Sequence, residues 1–127
     1  MTEAVITSAI ICRKVEHPDG PEGGATLVGV AQQIVFLAAY KDPVFMGALY
    51  LNVEGGSANE VTLRWMSEAG HIYEAHSPIP FVSAARVNRA ELALQLPCPM
   101  EGWYVLEILL DGAARSRQSV EVRQVQP

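Results

Sequence analysis

The chain has little of what most functional classes require. Cysteine occurs only twice, as Cys12 and Cys98, so no disulfide framework holds a small core together. A chain kept in a reducing compartment leaves such residues as small buried hydrophobes. The longest uncharged apolar stretch, Ile34 to Tyr40, is far short of the ~20 residues a membrane helix needs, so no membrane span and no membrane partner are expected. Basic residues are scarce, nine Lys and Arg against fourteen Asp and Glu, for a net charge of −5. On average such a field repels polyanions, and the expectation is no nucleic-acid ligand. The first residues, Met1-Thr2-Glu3-Ala4, carry an acid where a secretory leader needs a base, and the following apolar run meets Arg13 and Lys14 rather than a cleavage site. That argues for a cytoplasmic location.

What is present suits one folded domain over residues 1–127. Half of the residues are apolar and 18% charged, well away from the balance that keeps a chain disordered. The dominant period is two. Val61, Leu63 and Trp65 alternate with Glu60, Thr62 and Arg64; Leu92, Leu94 and Leu96 alternate with Glu91, Ala93 and Gln95; Val120 and Val122 alternate with Glu121 and Arg123. Alternation of this kind marks strands with one buried and one wetted face. Val5 to Ile11, Phe45 to Val53 and Trp103 to Leu110 are apolar on both parities, which suits central strands or strands covered on their outer side.

Between the runs stand turn residues: Pro18 to Gly24, Glu54 to Ser57, Glu68 to Gly70, and Asp111-Gly112. Short runs joined by such turns predict an all-β, two-sheet antiparallel sandwich, immunoglobulin-like or a related Greek key, of about eight strands. Val30 to Lys41 fits either a helix, by the spacing of Val30, Ile34, Leu37 and Ala38, or strand, by its β-branched and aromatic content. Ser83 to Arg89 allows one helical turn. Pro78 and Pro80 confine their segment to an edge or a bend, where the chain crosses between sheets.

The order of landmarks resembles a family of small bacterial β-sandwich proteins of unknown function. The similar stretches are a first strand ending in Ile11-Cys12, then Ala25 to Val30, Val61 to Trp65, and Pro99 to Tyr104 followed by Leu106 to Gly112. The resemblance implies a cytosolic bacterial protein with a two-sheet fold and brings no functional residues. Arg13 departs from it, since an acidic residue often follows the cysteine there.

No pattern of catalytic residues stands out. The histidines His71 and His76 fall on opposite faces of a strand and the two cysteines lie far apart, so no metal site and no cofactor are expected. No Gly-x-Ser-x-Gly elbow occurs, and the serines fit turns, so the chain reads as a non-enzyme; a hydrolase assembled from distant loops ranks last. Glu107, flanked on its parity by Trp103, Val105 and Leu109, is expected to pair with an arginine, of its own chain or of a partner.

The leading expectation is a binding or assembly module for protein–protein contact. Met46, Ala48 and Tyr50 form its interface with a second copy, as a homodimer, or with another bacterial protein, and Trp103 and Glu107 extend it. The alternative is a carbohydrate or small-ligand site using Tyr73, Trp103 and Tyr104.

Overall fold

The computed structural model describes residues 4–20, 24–38, 41–54, 58–70, 72–78, 82–84 and 87–126. His71 and the centres of the turns at 20–24 and 54–57 lie outside the described residues. The architecture is all-β. Its strands are β1 (Val5–Cys12), β2 (Lys14–Glu16), β3 (Thr26–Val28), β4 (Gln33–Leu37), β5 (Val44–Glu54), β6 (Glu60–Ser67), β7 (Ile72–Pro78), β8 (Val82–Ala84), β9 (Val87–Pro97), β10 (Gly102–Leu110) and β11 (Ala113–Val125).

They form a four-stranded sheet in the order β1-β5-β9-β8, a five-stranded sheet in the order β4-β11-β10-β6-β7, and a two-stranded ribbon of β2 and β3. Two expectations are corrected here, and one open alternative is resolved. Among the described residues eleven strands replace about eight. The arrangement is not wholly antiparallel, because β4 runs parallel to β11, with Ile34 opposite Val122 and Leu37 opposite Val125. The segment that allowed a helix is this strand: Ile34 is buried in the core and Val35 and Leu37 face outward, so period two fits the site that β11 offers. The stretch from Ser83 to Arg89 likewise supplies strand on both sides, β8 and the start of β9.

One apolar core joins the two larger sheets. Leu49, Leu51 and Val53 of β5 and Leu92, Leu94 and Leu96 of β9 meet Val61, Leu63 and Trp65 of β6, Leu106 and Ile108 of β10, and Val120 and Val122 of β11. Each fully buried side chain of this size contributes on the order of 1.5–3 kcal/mol through removal from water. Trp65 stacks on Tyr104 with ring centroids 4.8 Å apart and planes at 18°. Both polar tips are satisfied by backbone: the Trp65 indole donates to the Pro97 carbonyl at 2.8 Å, and the Tyr104 hydroxyl donates to the Met100 carbonyl at 2.8 Å. Cys12 and Cys98 are both buried as free thiols.

The Asp111-Gly112 turn closes the β10–β11 hairpin with φ of +48° and +85°, the pair of left-handed residues that a tight hairpin needs. The Asp111 carboxylate also accepts the backbone N–H groups of Asn59, at 3.0 Å, and Glu60, at 2.9 Å, and so fixes the start of β6. A bulge at Arg115 interrupts the hairpin between Ile108 and Leu109, where register passes from Ser116 to Ala114. No helix among the described residues is long and apolar enough to cross a membrane.

Candidate functional site

The residues expected to form one apolar stripe are placed by β5. Tyr50 stands between Ile10 of β1 and Glu91 of β9, and Ala48 between Cys12 and Ala93. Both are half-buried, while Met46 is 60% exposed. The chain's own N-terminal ribbon approaches this sheet: His17, just after β2, is hydrogen-bonded to the Glu91 side chain, and the Arg13 guanidinium lies 5.9 Å from the centre of the Phe45 ring. Trp103 and Glu107 sit on the other sheet, so the structure does not bring them to the Met46 stripe.

Tyr73, Trp103 and Tyr104 are also separated. Tyr104 is in the core, Trp103 is half exposed on the outer face, and Tyr73 lies on edge strand β7 opposite Trp65. Tyr73, Trp65 and Tyr104 border a shallow apolar cleft of about 240 Å³ with Ile72, Pro97 and Pro99. Ser116 and Ser119, expected in turns, lie inside β11. His76 faces Glu60, Glu74 and Thr62, with its Nδ1 2.9 Å from the Thr62 hydroxyl. Among the described residues no group of three or more His, Cys, Asp or Glu is arranged to hold a metal ion.

The outer face of the five-stranded sheet carries a row of charged side chains, Arg117 of β11, Glu107 of β10, Arg64 of β6 and Glu74 of β7, each opposite the next in register. Arg64 donates from Nη1 to Glu107 at 2.9 Å and from Nη2 to Glu74 at 2.9 Å. The arginine that Glu107 called for is therefore Arg64. Hydrogen bonding to Glu74, with both carboxylates nearby, holds the guanidinium even more firmly protonated than usual.

Along β11 the balance differs. Arg117, Ser119, Glu121 and Arg123 share the outward parity, and Arg115 stands exposed at the bulge. Glu121, the one carboxylate of the strand, is hydrogen-bonded by Gln33 of β4. Three of the nine basic residues thus stand exposed on one strand. At ~3.3 Å per residue the interval from Arg117 to Arg123 is about 20 Å. The signal was present in the sequence: the alternation that buries Val120 and Val122 puts Arg117 and Arg123 outside together.

No family model matches the chain, and no curated protein matches it. Among solved structures the chain is similar to the alkylpurine DNA glycosylase AlkC of Pseudomonas fluorescens, determined bound to DNA containing an abasic site analog. The TM-score is 0.52 with 13% sequence identity, covering 95% of this chain and 30% of that one. The likeness is one of fold, and this chain spans about 30% of the length of that neighbour.

A protein that contains this fold and binds DNA overturns two expectations. The exclusion of nucleic acid is withdrawn, and so is the reading of the chain as a module for protein–protein contact or self-association. The physical reason is that net charge is an average over the surface, whereas a polyanion meets one face. Of the fourteen acids, Glu74 and Glu107 are occupied by Arg64, Glu121 by Gln33, and Glu91 by His17. With three exposed arginines against one carboxylate, β11 is more basic than the chain as a whole. The carbohydrate alternative, which needed Tyr73, Trp103 and Tyr104 together, falls with the same correction.

Proposed function

We propose that the chain is a non-catalytic, immunoglobulin-like domain that contacts the phosphate backbone of DNA with the outer face of β11. The observation that carries the reading is the exposed set Arg115, Arg117 and Arg123 on one strand, against the single carboxylate of Glu121. Arginine forks match phosphate geometry, and a rigid strand holds them in register. A span of about 20 Å corresponds to the rise of roughly six nucleotides of one DNA strand. The neighbour with this fold, bound to DNA, supports the choice of polyanion.

The immunoglobulin-like label draws support from the strand order and from two side chains. A β1-β5-β9-β8 sheet facing one that contains β11-β10-β6 parallels the immunoglobulin arrangement of sheets. Trp65 occupies the core position of β6, and Tyr104, near the start of β10, bonds back to Met100, as a tyrosine corner does. Two buried free thiols suit a reducing, cytoplasmic setting. Backbone contacts of this kind carry no base preference and position rather than specify.

Fluorescence anisotropy with a labelled duplex at ~50 mM salt tests the reading. Three phosphate contacts give a slope of log K against log salt of about −2.7, so affinity falls about 40-fold between 50 and 200 mM. Arg115→Glu/Arg117→Glu/Arg123→Glu abolishes binding. Absence of wild-type binding at low salt, or full affinity in the triple variant, removes the proposal.

A further inference from the structure

Arg64 is a fourth cation on the same sheet face, two strands from β11, and at ~4.8 Å per strand about 10 Å away. Three of its five N–H donors are already taken. Nε and Nη2 both reach Glu74 Oε1, at 3.2 and 2.9 Å, and Nη1 reaches Glu107 Oε1 at 2.9 Å. Two carboxylate oxygens therefore fill the guanidinium fork in the way phosphate oxygens would. Glu107 also faces Arg117 on its other side. The whole row of Arg117, Glu107, Arg64 and Glu74 sums to zero charge, and a nucleic-acid strand laid across the sheet would meet two carboxylates beyond β11.

The geometry points to a self-blocking device: Glu74 and Glu107 act as internal phosphate mimics that hold Arg64 in reserve and confine a DNA backbone to β11. This inference rests on the proposed DNA contact. It adds that the bound surface is narrowed by the chain itself, and that Arg64 becomes a phosphate ligand when the two carboxylates lose their charge. The arrangement is physically reasonable because the three groups are partly exposed, with side-chain exposures of 35% for Arg64, 38% for Glu74 and 16% for Glu107. An exchange of partners at such a site leaves no charge buried and unpaired.

The test uses the near-isosteric Glu74→Gln/Glu107→Gln variant, its derivative that adds Arg64→Ala, and a matched-charge control, Asp19→Asn/Glu54→Gln, whose positions lie off this sheet. Circular dichroism and urea midpoints establish that each is folded. Against the same duplex, the Gln pair is expected to steepen the salt slope by about 0.9 and to tighten binding about tenfold at 50 mM salt relative to the matched-charge control. Adding Arg64→Ala returns slope and affinity to those of the control. A Gln pair no tighter than the control, or an Arg64→Ala derivative that keeps the gain, overturns the inference while the β11 contact stands. If no variant binds the duplex, the β11 contact itself fails and the inference falls with it.

Discussion

Replacing Gly47 with alanine places a methyl group where the fold has no room. A Cβ at this position would lie 2.4 Å from the carbonyl oxygen of Cys12, and 2.6 and 2.8 Å from Cε1 and Cζ of Phe45. Carbon and carbonyl oxygen ordinarily approach to about 3.3 Å, so one partner must retreat by roughly 0.9 Å. The Phe45 ring has some freedom to swing. The Cys12 carbonyl has less, because it belongs to the end of β1, where Cys12 pairs with Ala48 and Ile11 with Leu49. Overpacking against side chains costs about 1–3 kcal/mol, and a backbone obstacle puts Gly47→Ala near the upper end. Restricting the unfolded chain returns about 0.4–1 kcal/mol. The net loss is about 2 kcal/mol, or roughly 8 °C in Tm for a domain of this size.

Urea unfolding followed by tryptophan fluorescence reads this directly, since Trp65 is buried against Tyr104 and reports global unfolding. Phe45→Leu in the same chain relieves the ring contact but not the carbonyl contact, so it recovers only part of the loss. A Gly47→Ala protein within about 0.5 kcal/mol of wild type would refute the close approach of β1 to β5, and with it the path by which the N-terminal ribbon reaches the outer side of β5.

Leu106→Ala, at a position with no exposure in the centre of β10, should cost about 2–5 kcal/mol in the urea assay, whereas Trp103→Ala on the half-exposed outer face costs far less; equal losses would mean the two faces of β10 are assigned wrongly. Burial pushes the Cys98 thiol up to about 11 from an ordinary value near 9, so the folded state holds its proton after the unfolded chain has released it. Stability from this residue is complete below pH 9 and is lost as pH rises toward 11. Cys98→Ala should show a shallower fall in urea midpoint between pH 8.5 and about 10.5, and an unchanged slope would contradict the burial.

Much of the fold was legible in local pattern. Alternation marked β6, β9 and β11 because a strand between core and water must repeat every two residues, and the Asp111-Gly112 pair marked its hairpin because few other residues adopt two successive positive φ angles. The need of Glu107 for an arginine was equally readable from its apolar parity neighbours. Which arginine answered was not, because Arg64 and Glu107 are opposed only through the β6–β10 register. The same holds for Val30 to Lys41, whose composition fitted two structures until β11 offered Gln33 to Leu37 a parallel edge.

The candidate site divides along the same line. The sequence by itself determined that β11 would expose arginines on one parity, since that follows from the burial of Val120 and Val122. It also set a net charge that argued against any polyanion. Only the tertiary structure decided which acids are occupied: Arg64 takes Glu74 from the adjacent β7 and Glu107 from the more distant β10, and Gln33 takes Glu121 from a neighbouring parallel strand. Charge is additive along a sequence, but the field at a surface depends on distance and pairing, and those exist only once the strands are in register.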